Sequence, residues 1–70
     1  MRYAIVVEKT ANNYSVYVPD LPGCIATGDT VAEAEQEIYA AIEFHIEGMI
    51  EDGLPVPKPT SIVQYVEIAA

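Results

Sequence analysis

The sequence predicts an α+β domain in which three short strands, one long helix and a final strand follow one another. Three observations support this prediction. Two β-branched and aromatic runs flank a polar loop, a proline-rich turn precedes a helix-capping signal, and apolar residues then recur with the period of a helix. The 70 residues are predicted to form one domain, residues 1–70.

The first two strands are predicted to form a hairpin. Residues Arg2–Glu8 are largely apolar, and Tyr14–Val18 alternates as the return strand. The loop between them contains two asparagines, which tolerate the backbone conformations of tight hairpin loops. A short third strand is predicted over Cys24–Thr27, which gives an antiparallel meander.

The turn between the second and third strands is rich in proline. Pro19 and Pro22 lack a backbone N–H, so a central strand cannot continue through them. The Pro22-Gly23 pair predicts a tight turn with a positive φ at the glycine. Asp20 lies within this turn, where an aspartate readily bonds to nearby backbone.

One helix is predicted from Val31 to Asp52. Thr30 and Glu33 have the spacing of a capping box, in which each side chain bonds to the backbone N–H of the other. Gly53 then has the position of the residue that ends a helix. A 100° rotation per residue gives one apolar stripe, which is predicted to face the core: Val31, Ala34, Ile38, Ile42, His45 and Met49. The opposite side carries Glu33, Gln36, Glu43, Glu47 and Glu51.

The chain after the helix is predicted to return to the sheet. Residues 54–59 contain three prolines and read as an extended connector, and Ile62–Ile68 reads as a fourth strand. A right-handed crossover places this strand beside the first one. The prediction is therefore a four-stranded mixed sheet of order 3-2-1-4, with one helix on one face.

A single helix covers only one face of such a sheet, although both faces carry apolar residues. An open apolar face on a small domain is normally buried between subunits. We therefore predict a homo-oligomer, a dimer or a tetramer. Its predicted interface is formed by Tyr3, Ile5, Val63 and Tyr65.

Charge and cysteine content restrict the partners and the compartment. Three basic residues oppose eleven acidic ones, a net charge of −8, which disfavours direct nucleic-acid binding and fits a basic protein partner. The same charge can also serve only to keep a small domain in solution. A single cysteine forms no intrachain disulfide, and neither a membrane-spanning run nor a signal peptide is evident. We therefore expect a cytoplasmic protein.

No pattern of residues predicts catalysis. His45 has no nucleophile placed beside it by the sequence, Cys24 reads as a small core residue, and no metal-ligand spacing of cysteine and histidine occurs. We expect no enzyme activity and no cofactor. An alternative is a magnesium-dependent nuclease that uses some of the acids Glu8, Glu67, Asp20 and Asp29. The first strand argues against it, since its centre has no acid.

Five segments resemble the HicB-like antitoxin family, in particular its N-terminal domain. They are Tyr14–Cys24, Thr27–Thr30, Glu33-Ala34, Ala41–Gly48 and Asp52–Pro59. The resemblance implies a reduced ribonuclease H-like fold of order βββαβ. It also implies the role of an antitoxin, which in this family binds a small basic ribonuclease, HicA, and covers its active site.

The resemblance ends where many family members continue into a DNA-binding domain. The sequence stops at Ala70, so we expect no DNA-binding domain in this chain. The residues predicted to face a toxin are Asp20, Leu21, Glu43, Phe44, Glu47 and Glu51. A further alternative is an oligomeric interaction domain that has no toxin partner.

Overall fold

The computed structural model describes all 70 residues and confirms an α+β fold. Its strands are β1 (Val6–Lys9), β2 (Tyr14–Tyr17) and β3 (Ile25–Gly28), and its helix is α1 (Val31–Glu51). The strands form one antiparallel sheet in the order β1-β2-β3. This order leaves β1 and β3 as the two edges of the sheet.

The hairpin of β1 and β2 forms where the sequence predicts it. Val7 pairs with Val16, and Lys9 pairs with Tyr14 beside the loop. The Lys9 ammonium lies 5.0 Å from the centre of the Tyr14 ring, which adds a cation–π contact to this pair. β1 begins at Val6 rather than Arg2, because β2 ends at Tyr17 and offers no partner to the residues before Val6.

Two consecutive β-turns connect β2 to β3. The Leu21 N–H donates to the Val18 carbonyl at 3.1 Å, and the Cys24 N–H donates to the Leu21 carbonyl at 3.1 Å. Gly23 has a φ of 83°, as predicted for the third position of the second turn. The two turns direct Val18, Leu21 and Cys24 inward, and all three are buried.

α1 begins and ends at the predicted signals. The Glu33 N–H donates to the Thr30 hydroxyl at 3.1 Å, while the Glu33 carboxylate accepts from the N–H of Asp29 rather than Thr30. At the other end, the Leu54 N–H donates to the Met49 carbonyl and the Gly53 N–H to the Ile50 carbonyl. These two bonds form a Schellman motif, which satisfies the last carbonyls of the helix.

The core is small and lies between the helix and two strands. α1 packs on β3 and, to a lesser extent, on β2. A Cβ atom on Gly28 would lie 2.8 Å from the carbonyl carbon of Glu33, so only glycine allows β3 to approach the first turn of α1 this closely. Six residues are buried: Val16, Val18, Leu21, Cys24, Ala34 and Ile38.

The structure has three strands and does not confirm the predicted fourth strand over Ile62–Ile68 or the order 3-2-1-4. Residues 54–70 have no regular secondary structure, and no backbone–backbone hydrogen bond involves a residue after Leu54. The segment runs beside residues 2–7, with open clefts between the two, and does not pair with them. We call residues 62–70 the C-terminal arm. α1, the only helix, does not combine the length and apolarity needed to cross a bilayer.

Candidate partner-binding surfaces

The outward side of α1 carries an exposed acidic row. Glu43, Glu47 and Glu51 recur every four residues, a spacing that aligns them along the helix, and all three are exposed. Phe44 lies beside this row with 80% of its surface accessible. We call these four residues the outer acidic face. The structure thus brings together four of the six residues predicted to contact a toxin.

The outer acidic face is unfavourable for the helix that carries it. Like charges four residues apart destabilise a helix, and the row contains two such pairs. The last turn of α1 has no basic residue, although the negative end of the helix dipole favours one there. A local arrangement that opposes folding is typical of residues that serve binding.

Two apolar side chains at the margin of the outer acidic face were missed by the sequence analysis. Tyr39 and Ile50 are both largely exposed on α1. The helical rotation that aligns the glutamates places Tyr39 next to Glu43 and Ile50 next to Glu47 on the helix surface. Aromatic and aliphatic side chains of this kind supply the apolar part of protein interfaces.

The structure contradicts the prediction that Leu21 faces a partner. Its side chain is fully buried and belongs to the same cluster as Ala34 and Ile38. The prediction is wrong because the two successive turns direct the Leu21 side chain toward α1 and not toward solvent. Leu21 therefore stabilises the fold.

Asp20 binds the chain's own C-terminal region. Its carboxylate accepts hydrogen bonds from the backbone N–H of Thr60 and of Ser61, each at 3.0 Å. The hydroxyls of the same two residues donate to it at 3.2 and 2.8 Å. A second attachment is the Tyr3 hydroxyl, which donates to the Pro57 carbonyl at 2.6 Å. Together these contacts fix the base of the C-terminal arm.

The attachment at Asp20 is predicted to depend on pH. Hydrogen bonds from Ser61, and then from Thr60, lower the pKa of Asp20 below its usual 3.8. The attachment is therefore intact above pH 3.8 and is lost as the pH falls through this lowered pKa. We expect the amide resonances of Thr60 and Ser61 to shift together below pH 3.8 in an NMR titration. In an Asp20→Ala variant, neither of these two amide resonances should shift below pH 3.8. A titration midpoint above pH 3.8 in the wild-type protein would contradict a lowered pKa of Asp20.

The four residues predicted to form an oligomer interface lie near one another. Tyr3 and Ile5 are partly buried against the core, whereas Val63 and Tyr65 are exposed. Ile5, Val63 and Tyr65 line the same cleft between β1 and the C-terminal arm. Tyr3 and Val63 line the adjoining cleft.

Comparison with known proteins assigns the chain to a family. Residues 3–69 match the model of the HicB-like antitoxins of bacterial toxin–antitoxin systems. The chain belongs to the HicB-like antitoxin family. This match confirms the resemblance that the turn and helix motifs indicated.

Relatives of this HicB-like antitoxin occur in phage and bacteria. A 14.9 kDa protein from the rep–hol intergenic region of Haemophilus phage HP1 is 50% identical over 94% of the chain, and the chain spans 50% of that protein's length. A UPF0150 protein of Synechocystis is 42% identical, over 94% of the chain and 85% of the relative. A chain of the HicA3 and HicB3 toxin–antitoxin complex matches in structure with a TM-score of 0.74 and 33% identity, over 86% of this chain and 70% of that one.

The acids that a nuclease would need are not brought together in this HicB-like chain. No group of three or more histidine, cysteine, aspartate or glutamate side chains is placed to hold a metal ion. Asp20 is occupied by Thr60 and Ser61. Burial raises the pKa of the Cys24 thiol above its usual 9.0, so the thiol stays protonated at neutral pH, as expected of a core residue.

Proposed function

We propose that this HicB-like antitoxin binds a small basic HicA-like ribonuclease and masks the site with which that toxin cleaves mRNA. The observation that carries the proposal is the outer acidic face, an exposed row of carboxylates beside an exposed aromatic ring on a member of an antitoxin family. The match to a chain of the HicA3 and HicB3 complex supports it. The protein acts in the cytoplasm, without catalysis or a cofactor of its own.

Charge and shape contribute to binding in different ways. The net charge of −8 attracts a basic protein from a distance and speeds its approach. On contact, Phe44 on one margin of the acidic row and Tyr39 and Ile50 on the opposite margin exclude water from the interface, as aromatic and aliphatic side chains do in protein interfaces. Inhibition then follows from steric occlusion of the toxin's active site.

The antitoxin is proposed to act as a homo-oligomer. The exposed apolar residues of the C-terminal arm lie beside β1, in clefts that no residue of the outer acidic face lines. Separate surfaces for its own copies and for a toxin are therefore proposed for one chain. An oligomer of this kind would hold several toxin molecules at once.

The experiment that tests the function is capture of the toxin followed by an activity assay. Tagged protein is used to retrieve partners from the lysate of its own cells at low and moderate salt, and captured proteins are identified by mass spectrometry. We expect a small basic protein that cleaves RNA, that is released as salt rises, and whose cleavage stops when the antitoxin is added in equal amounts.

Two results would overturn the proposal. One is a captured basic protein whose RNA cleavage continues unchanged in the presence of excess antitoxin. The other is recovery of the protein alone at both salt concentrations, which would favour an oligomeric interaction domain without a toxin.

A further inference from the structure

The C-terminal arm exposes most of its apolar surface. Tyr65 is 93% exposed and Ile62 is 81% exposed. No hydrogen bond of any kind involves a residue after Ser61, so the arm's backbone donors and acceptors are also unpaired within the chain. The other large apolar side chains of the arm are exposed as well: Val63, Val66 and Ile68.

The single chain exposes more surface than a folded monomer of its size. Its accessible surface is 5560 Å² for a mass of 7.6 kDa, whereas a compact monomer of that mass exposes about 4300 Å². The excess of about 1,300 Å² is larger than the ~800 Å² that each partner buries in a typical stable interface. The radius of gyration, 13.7 Å, likewise exceeds the ~11 Å expected for 70 residues.

The edge formed by β1 (Val6–Lys9) and the extended residues before it is as long as the C-terminal arm, and each of the two segments contains an uncharged stretch. Residues 62–68 and residues 2–8 each span about 23 Å as extended chain. Tyr3–Val7 and Pro59–Val66 contain no charged residue, in a chain whose net charge is −8. Two copies therefore repel one another over most of their surface and can approach closely along these two segments.

The base of the arm is held in place, which restricts where the arm can bind. Asp20 fixes Thr60 and Ser61, and Tyr3 fixes Pro57. With these contacts made, the arm lies beside β1 of its own chain and forms no backbone pairing with it. An unpaired strand edge pairs readily with an extended segment of another chain.

We propose that two copies of this chain exchange their C-terminal arms. Residues 62–68 of each copy add as a strand to the free β1 edge of the other, which completes a four-stranded sheet in both and buries the arm's apolar side chains. This inference rests on the homo-oligomer proposed above and specifies its interface, but it does not depend on toxin binding.

The first test measures self-association by sedimentation equilibrium. Gln64→Pro combined with Tyr65→Pro removes one backbone donor from each edge of the arm, because successive N–H groups of a strand point to opposite sides. We expect the wild-type protein to sediment with twice the mass of one chain at micromolar concentration. We expect the dimer dissociation constant of the double variant to be at least tenfold higher. The matched control is Ala69→Pro with Ala70→Pro, which should remain a dimer.

The second test distinguishes exchange from closure within one chain. An untagged chain carrying Ala4→Cys is mixed with a tagged chain carrying Gln64→Cys, and a short bismaleimide is added. Cys24 is left in place because it is buried. Exchange predicts a cross-link between tagged and untagged chains.

Three results would overturn the proposal. Wild type could sediment as a single chain at micromolar concentration, or the arm variant could associate as strongly as wild type. A chain carrying both Ala4→Cys and Gln64→Cys could also cross-link only within itself, which would show that the arm pairs with its own β1.

Discussion

Leu21→Ala is expected to destabilise the protein by about 2–5 kcal/mol, the usual effect of removing a buried leucine side chain beyond Cβ. A domain of 70 residues has a total stability of only about 3.5–10 kcal/mol. Leu21 is fully buried in a core of six residues, so few neighbours remain to close the cavity. The variant should lose a large part of its cooperative unfolding transition in urea, followed by circular dichroism.

Leu54→Ala is the matched control, because it makes the same chemical change at a leucine that is 53% exposed. Most exposed substitutions change stability by at most about 0.5 kcal/mol. We expect the unfolding midpoint of this variant to stay close to that of wild type. Equal effects of the two substitutions would show that the turn does not anchor the core.

At Leu21, the sequence predicts the turn correctly but not the burial of the side chain. The sequence predicts the turn itself, because Pro19, Pro22 and Gly23 act through their own backbone restrictions. It does not predict which side chain points inward, because that depends on two turns following each other and on a helix lying over them. A leucine at the tip of a turn therefore reads as exposed, whereas the fold buries it.

The helix was predicted closely, for a similar reason. Its capping residue, its apolar stripe and its terminal glycine are local signals, so the predicted end at Asp52 differs from the observed one by one residue. The stripe is wrong at Val31, which is 43% exposed because it lies at the first helical position, at the end of the packed face. Gly28 carries no such signal. Its requirement for glycine arises only when β3 meets the first turn of α1, which is a contact between separate elements.

The missing fourth strand has a different cause. Ile62–Ile68 has the composition of a strand, but a strand also needs an edge to pair with. In the single chain the nearest edge, β1, lies beside the segment without bonding to it. The sequence thus predicts a tendency to pair, but it does not predict which edge the segment pairs with.

Replacing Glu43, Glu47 and Glu51 together by glutamine is expected to slow association with the proposed basic toxin about tenfold at low salt, since electrostatic steering raises on-rates by 10-fold or more. The difference should shrink as salt rises, because charges are screened over about 10 Å at 0.1 M ionic strength. Stopped-flow or surface-plasmon measurements with the captured toxin, at several salt concentrations, report both effects.

The same variant should be slightly more stable than wild type. The substitution removes two like-charge pairs and the acidic residue of the last turn, which together oppose the helix by about 0.7–2 kcal/mol. A slower association combined with a higher unfolding midpoint excludes misfolding as the cause of weaker binding. It would also indicate that the carboxylates are retained for the partner and not for the fold.

The control for charge alone is a variant with Asp29→Asn, Glu35→Gln and Glu37→Gln, which removes three exposed charges outside the outer acidic face, β1 and the C-terminal arm. If attraction came only from the net charge of −8, the two triple variants would slow association equally, and the outer acidic face would lose its assigned role. If the face is the binding surface, only its own variant should show the full effect.

Phe44→Ala should then raise the dissociation rate while leaving the salt dependence of association unchanged, because it removes apolar contact and no charge.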